Sequence, residues 1–462
     1  MRAYLWVVVL LLAAACRGDE VAAPTGDLPR VASVAPRPNP ANALAVFVDV
    51  QADHADSARI LYAEAGGRAD STPRVPLVAG RGVVPVLGLR SGATYNGVAE
   101  VVGPGGAAHS DSVAFAAGPL PELLRGVTIT TTGTGSSGLN LTALSLGGAA
   151  LVAFAFDSAG TVRWYREFDD PRAGGELKPQ PNGNFTLYIG ASFGSQPVPG
   201  YYVEFSPTGD SLRAITAPAP LYTDNHELWI TGSGAGERIH LFGYDHRVTD
   251  ITAFGGPADA ALAGHSLVRL RPDGSTEFVW SAWDHLSISD WIEPPFPGPV
   301  DPDQPDYDHP NAIAFDRDSN YIVSWRNLGT ITKLDAHTGA IIWRLGGTQN
   351  QFTFVNDPLS GFSAQHSPKV LPNGHLLLYD NGERHQPAET RAVEYAIDTV
   401  AKTAMMVWEY HHSPPIFTPF VGSVQRLADG ATLVGFGMAG VVTEVAPDGT
   451  PRWEATVQVG GA

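Results

Sequence analysis

The chain is predicted to be all-β: a small two-sheet domain followed by a long run of repeated four-stranded sheets. Three observations predict this. Glycine and proline are abundant, at 51 and 37 of 462 residues, while lysine occurs only at Lys178, Lys333, Lys369 and Lys402. Few windows combine helix formers at helical spacing, whereas short alternating stretches bounded by turn residues recur throughout. From about Thr128 the turn signatures repeat every ~50 residues, the mark of stacked supersecondary units. A chain this long exceeds one ordinary compact domain unless that domain is a large closed β structure.

Residues 1–15 read as a signal peptide. Arg2 gives the positive end, and Tyr4 to Ala15 is an apolar run too short for a comfortable membrane span. The run ends Leu12-Ala13-Ala14-Ala15-Cys16, which resembles a bacterial lipobox, although Ala13 stands where leucine is commoner. Cys16 is then the lipidated first residue of an exported lipoprotein, held at a membrane by its lipid and placed in the periplasm or on the outer membrane. Ordinary cleavage near Ala15 also gives export. Cys16 is the one cysteine in the sequence, so no internal disulfide is expected and packing must supply the stability. Residues 16–30, rich in Gly, Ala, Pro and acids, read as a flexible tether.

Residues 31–118 form the first expected folded unit. Ala45-Val46-Phe47-Val48-Asp49-Val50 and Arg59-Ile60-Leu61-Tyr62 alternate as half-buried strands do. Short strands with turns between them predict a small β-sandwich. Leu89-Arg90-Ser91-Gly92-Ala93-Thr94-Tyr95 resembles a fibronectin type III motif.

Residues 119–462 carry the repeats, in which two kinds of hairpin alternate. One has a polar turn and then a tryptophan: Asp157-Ser158-Ala159-Gly160 to Trp164, Asp273-Gly274 to Trp280, Asp335 to Trp343, and Asp448-Gly449 to Trp453. The other has Pro-Asn-Gly or Asp-Gly at 181–183, 372–374 and 429–430, dipeptides that supply the positive φ of tight hairpins. Two hairpins make one four-stranded sheet, and the length from 128 to 457 suits about six of them at this period, a six-bladed β-propeller. Each tryptophan is expected to pack between neighbouring sheets. In such a fold, inner strands converge on an axis, so residues far apart in sequence meet at one mouth.

The formal charge of −18 argues against a nucleic-acid partner, which needs clustered Lys and Arg. It leaves room for a small anion held by one arginine. Among the fourteen histidines, His226, His309 and His366 share an address at the start of an apolar inner strand, and Arg326 ends the strand after His309. Histidine serves as base, acid or nucleophile near neutral pH, and arginine offers a fixed fork to an oxyanion. The set fits transfer of an anionic group, or simply a polar channel lining. Zinc is disfavoured, since the histidines lack close ligand spacing and Arg326 would repel the cation.

His309-Pro310-Asn311, Ser324-Trp325-Arg326-Asn327, Thr338-Gly339 to Trp343-Arg344-Leu345-Gly346-Gly347, Gln365-His366 and Tyr379-Asp380-Asn381-Gly382 together resemble the arylsulfotransferase family. That bacterial class moves a sulfuryl group between phenols without a nucleotide donor. The resemblance covers about 128 to 457 and implies a six-bladed propeller preceded by a small β-sandwich. It implies that His366 becomes transiently sulfated, that His309 and Arg326 hold the sulfuryl oxygens, and that His226 completes the ring. Asn311 and Asn381, from the same motifs, are implied to bind substrate. The partners implied are an aryl sulfate donor and a phenolic acceptor, with no cofactor and no metal. Some members carry a disulfide that this chain cannot form. The Asp335 to Trp343 stretch also resembles the tryptophan-docking motif of quinoprotein-type propellers, which leaves a binding scaffold or a quinone-dependent dehydrogenase as rival readings.

Overall fold

The computed structural model describes residues 26–146, 150–170, 174–190, 200–292 and 305–460. The signal peptide, Cys16 and most of the tether lie outside the described residues. Among the described residues the chain is all-β, its one α-helix being the single turn Glu122–Arg125, and no helix is long and apolar enough to cross a membrane.

Two compact units are present. The smaller comprises residues up to Arg37, Phe47–Val86 and Thr94–Phe115. It has two sheets, one of three strands ordered Arg30–Pro38, Val46–Asp53, Arg81–Val86, and one built around the antiparallel pair Ser57–Glu64 and Thr94–Gly103. Alternate residues Val46, Val48, Val50 and Ala52 are buried, as a half-buried strand requires. Tyr95 of the Thr94-Tyr95 motif stacks on Phe115 with 5.8 Å between ring centroids.

The larger unit holds six antiparallel sheets in chain order among the described residues. The first contains Asn140–Leu146, Ala150–Phe156 and Val162–Phe168, and the second Gly174–Pro179, Phe185–Ile189, Tyr201–Phe205 and Ser211–Ile215. The third contains Tyr222–Thr231, Arg238–Thr249, Ala260–Leu270 and Thr276–Ser281, and the fourth Pro310–Phe315, Tyr321–Trp325, Thr330–Leu334 and Ile341–Gly346. The fifth runs from His366–Val370 through Leu376–Asp380 and Arg391–Asp398 to Thr403–His411, and adds the parallel strand Thr353–Val355. In the sixth, Ser423–Arg426, Thr432–Phe436, Val441–Val445 and Pro451–Val459 are joined by Val127–Gly133, the strand that precedes the first sheet, in register Val127 to Val459. That pairing ties the beginning of the repeat region to its end.

The repeated tryptophans do what their spacing suggests. Trp164 Nε1 of the first sheet donates to Pro207 O in the second at 2.7 Å, and Trp280 of the third to Gly339 O in the fourth at 2.8 Å. Trp453 of the sixth donates to Ser158 O in the first at 2.8 Å. Trp343 instead packs among Phe352, Leu376, Leu378 and Tyr395 of the fifth sheet and the segment leading into it. Trp164, Trp280 and Trp453 each bury a large apolar face between sheets while the N–H satisfies a turn carbonyl. The Asn182-Gly183 and Asn373-Gly374 turns hold their glycines at φ 86° and 88°, a conformation open to glycine at little cost.

The first strands of successive sheets lie side by side, and side-chain bonds stitch them. Trp229 Nε1 donates to Ile313 O at 2.8 Å, joining the third sheet to the fourth. Asn311 Nδ2 donates to Gln365 O at 2.8 Å, joining the fourth to the segment that enters the fifth. His226, His309 and His366 are thereby delivered to one place.

Candidate active site

His366 is the first residue of its strand, and the backbone around it is bent. Ala364 has φ 52° and Ser367 φ 53°, left-handed values that cost non-glycine residues about 1–3 kcal/mol each. The ladder to Leu376–Asp380 shifts register between His366 and Lys369. Surrounding bonds hold this shape. Gln365, fully buried, donates through Nε2 to Ser324 Oγ (2.9 Å), Trp325 O (3.3 Å) and Thr330 O (3.2 Å).

The ring of His366 has an assignable tautomer. Asn381 donates its amide nitrogen to Thr418 O at 2.8 Å and Val421 O at 2.9 Å. Its side-chain oxygen must then be the atom 2.7 Å from His366 Nδ1, and Ala364 O stands 3.0 Å from the same nitrogen. Both neighbours are acceptors, so Nδ1 carries the proton and Nε2 carries the lone pair. Burial, reinforced by the positive field of Arg326, pushes the His366 pKa down to about 3, so the ring is neutral at any working pH. Asp380, next to Asn381, anchors this corner through bonds from Ser363 N (3.0 Å), His385 Nε2 (2.8 Å) and the buried Arg391 Nε (3.0 Å).

His309 precedes strand Pro310–Phe315 with φ 42°. Its backbone N–H meets Asp306 Oδ1 at 3.0 Å and Asp308 Oδ1 at 2.8 Å, and its Nδ1 meets Asp306 Oδ2 at 2.7 Å. A carboxylate at Nδ1 orients the ring and favours its Nδ1–H tautomer. Burial outweighs the attraction of Asp306 and lowers the His309 pKa to about 4. His226 lies inside strand Tyr222–Thr231, not before it as the sequence suggested, because pairing continues from Tyr222 with a register shift between Thr223 and Leu228. Its Nδ1 and backbone N–H both lie 2.9 Å from Asp224 Oδ1. The rings of His226 and His309 meet edge to face, centroids 4.5 Å apart.

Arg326 follows strand Tyr321–Trp325 and donates its backbone N–H to His309 O at 2.9 Å. The side chain is wholly buried, with Nη1 on Asn327 Oδ1 (2.7 Å) and Nη2 on Glu383 Oε1 (2.7 Å) and Pro419 O (3.3 Å). The electrostatic field at His366 includes Arg326, His309 and His226. All four predicted residues therefore share one neighbourhood.

The two asparagines have structural partners. Asn381 spends its amide on His366, Thr418 and Val421, and Asn311 holds Gln365 O. Both are thus placed to position the strand and ring of His366 before any contact with a substrate, a role that the motifs alone did not reveal. The sequence reading also passed over Asp224, Asp306, Glu383 and His265. An acid two or three residues ahead of a histidine, as in Asp224-x-His226 and Asp306-x-x-His309, was the available signal for the first two.

Among the described residues, His265, Asp306 and Asp308 are the one grouping of metal-ligand types with ligand atoms all within 4.8 Å of one another. His265 Nδ1 and Asp308 Oδ1 are 2.6 Å apart, the length of a charge-assisted hydrogen bond with a proton between them. The donor set fits a protonated cluster better than a cation site. The chemistry available at the cup is a neutral imidazole lone pair, two carboxylate-backed imidazoles and a buried guanidinium, which suits nucleophilic transfer of an anionic group.

Comparison with known proteins gives the family. The sequence model of the arylsulfotransferase (ASST) family matches residues 131–457. The chain belongs to the arylsulfotransferase family. A curated relative, the arylsulfate sulfotransferase AssT of Escherichia coli O6:H1 (strain CFT073), is 36% identical over 83 residues, 16% of this chain and 14% of that protein. The match thus spans a small part of that relative's length. Solved structures similar to this arylsulfotransferase-family chain include the periplasmic gluconolactonase PpgL of Pseudomonas aeruginosa (TM-score 0.40, 15% identity, 70% of this chain and 96% of that one). Another is virginiamycin B lyase from Staphylococcus aureus (TM-score 0.34, 9% identity, 72% and 99%).

Proposed function

We propose that the chain is a nucleotide-independent aryl-sulfate sulfotransferase whose six sheets are the blades of a propeller, with His366 as the sulfuryl carrier. The observation that carries this reading is the bond from His366 Nδ1 to Asn381 Oδ1 at 2.7 Å, because it leaves the lone pair on Nε2 of a ring that stays neutral. In the first half-reaction Nε2 attacks sulfur, the N–S bond forms, and the S–O(aryl) bond breaks with its electron pair going to the phenol oxygen. That oxygen leaves as a phenolate, its charge offset by the buried Arg326, and takes its proton from water, because His309 is neutral. In the second, an acceptor phenol attacks the same sulfur, the N–S pair returns to Nε2 of His366, and the phenolic proton passes to Nε2 of neutral His309, whose Nδ1 is held by Asp306.

Two features of the substrate class follow from chemistry. A phenol, with pKa about 10, leaves far more readily than an alkoxide, which favours aryl donors. Charge spread over the peripheral sulfuryl oxygens is stabilised by Arg326, as in phosphoryl transfer. The Asn381 oxygen stabilises the positive charge that grows on the ring as Nε2 bonds to sulfur, so His366 is primed both to attack and to leave. Export with a lipid at Cys16 suits an enzyme that draws on no nucleotide donor.

Steady-state turnover of a chromogenic aryl sulfate with a second phenol tests the reading. Parallel double-reciprocal lines and sulfation of the acceptor are expected; absence of acceptor-dependent turnover across several aryl sulfates contradicts it.

A further inference from the structure

Behind the cup, outside every role assigned so far, lies His265 on strand Ala260–Leu270. It is 1% exposed and touches carboxylates with both ring nitrogens. Nδ1 is 2.6 Å from Asp308 Oδ1, with Asp306 Oδ1 at 3.7 Å, and Nε2 is 3.5 Å from Asp224 Oδ2. The backbone N–H of His265 also donates to Asp308 Oδ2 at 3.0 Å. These three acids are the same ones that grip the cup. Asp224 holds the His226 ring, Asp306 holds the His309 ring, and Asp306 and Asp308 together accept the His309 backbone N–H in its left-handed conformation.

We propose that His265 is a permanently protonated positioning residue, a buried imidazolium that locks the His226 and His309 rings into working orientation through Asp224, Asp306 and Asp308. This rests on the sulfotransferase reading and deepens it. Three buried carboxylates behind a site for an anionic group are tolerable only with an internal counter-charge, since an uncompensated buried charge is strongly destabilising. His265 is placed to supply it. A neutral ring donates from one nitrogen only, whereas this ring faces acceptors on both sides, so the doubly protonated form alone donates to both.

The charged and titratable groups around His265 are Asp224 from the third sheet's first strand, Tyr244 and His246 from its second, and Asp306 and Asp308 from the segment before Pro310–Phe315. Tyr244 stands 5.6 Å from His265, ring to ring. Burial opposes the charge on His265, but Asp308, Asp306 and Asp224 outweigh it and hold its pKa well above the usual imidazole range. In return, and against their own burial, His226 and His265 keep Asp224 ionised, and His265 and His309 keep Asp306 ionised. The balance at Asp308 runs the other way, burial raising its pKa against the pull of His265. We therefore place the shared proton on the imidazole, which has a second carboxylate to stabilise it.

The test compares wild type with His265→Gln, which keeps bulk and polarity but loses the charge. Wild type must first show aryl-sulfate turnover; if it does not, the sulfotransferase reading fails, and the proposal for His265 is still decided by NMR. In protein with nitrogen-labelled histidine, the wild-type His265 ring is expected to keep both N–H signals from pH 6 to 9. The variant is expected to lose about 10- to 100-fold in kcat, the range found for partners that orient a working histidine, with little change in the donor KM. Its acidic limb in kcat/KM moves to higher pH, because removing a cation raises the proton affinity of His309, Asp306 and Asp224. A role in packing alone leaves that limb in place. A wild-type ring that titrates near pH 6.5, or a folded variant with wild-type rate and pH profile, overturns the proposal. So does a stoichiometric metal ion in the purified protein that leaves on substitution of His265. Should the variant not fold, the wild-type NMR signals alone decide.

Discussion

The Asn381 side-chain oxygen lies 2.7 Å from Nδ1 of His366, while its amide nitrogen is spoken for by the carbonyls of Thr418 and Val421. An amide so fixed cannot turn over, and a ring facing it cannot change tautomer without losing a buried hydrogen bond. The reactive nitrogen of His366 is therefore chosen by a residue fifteen positions further along the chain.

Asn381→Asp puts a carboxylate against His366 Nδ1 and raises the pKa of the ring. The acidic limb of kcat/KM should then appear near neutrality, where wild type is flat, and activity should recover with rising pH. Asn381→Ala removes the orienting partner altogether and should lower kcat about 100-fold or more at every pH. Initial rates from pH 5 to 9 check both.

Arg326→Lys keeps the charge and loses the fork. Arg326 bonds Asn327, Glu383 and Pro419 at once, which a point-like ammonium cannot reproduce. A loss of about 100- to 1000-fold in kcat is expected, as for removal of one donor to a developing anion. Rates for aryl sulfates with leaving groups of graded pKa check it, and the variant should depend more steeply on leaving-group pKa.

Much of this was legible in the sequence. Asn-Gly and Asp-Gly turns and the regular tryptophans marked the sheets, because hairpin φ angles and inter-sheet packing are local demands. Short motifs marked His309, Arg326 and His366 for the same reason. The carboxylates behind the rings were harder to see. His265 meets Asp308 across 43 residues, and an isolated Gly-His-Ser in a strand gives no sign of three acids waiting for it. The work of Asn381 was hidden too, since its partners lie on a loop that only folding brings near.

Stability should fall as pH drops from 6.5 to 5, and His366 should account for part of the slope. Above pH 6.5 the ring is neutral in both folded and unfolded states, so it contributes nothing. Below that, the unfolded chain binds a proton that the fold refuses until about pH 3, so unfolding gains about 1.4 kcal/mol per pH unit from this ring. His309, lowered to about 4, and His240, lowered to about 3 chiefly by burial, act in the same direction. His265 adds no slope in this window: its raised pKa contributes stability that is fully present below pH 6.5 and is lost only as pH rises above it. Denaturant titrations of wild type and His366→Gln between pH 5 and 7 should show the smaller slope in the variant.

Trp453→Phe should cost about 1–2 kcal/mol by deleting the N–H that reaches Ser158 O across the first and sixth sheets. Trp453→Ala should cost about 3–5 kcal/mol, since the buried ring is lost as well. Equilibrium unfolding checks both, and neither should change KM.

The central claim is covalent, so the most direct measurement is the mass of the protein after brief exposure to an aryl sulfate without acceptor, quenched at alkaline pH and mapped by peptide. One sulfuryl group on Nε2 of His366 is predicted, discharged on adding a phenol and missing in His366→Asn. Turnover without any labelled histidine, or a label that persists in His366→Asn, contradicts the account.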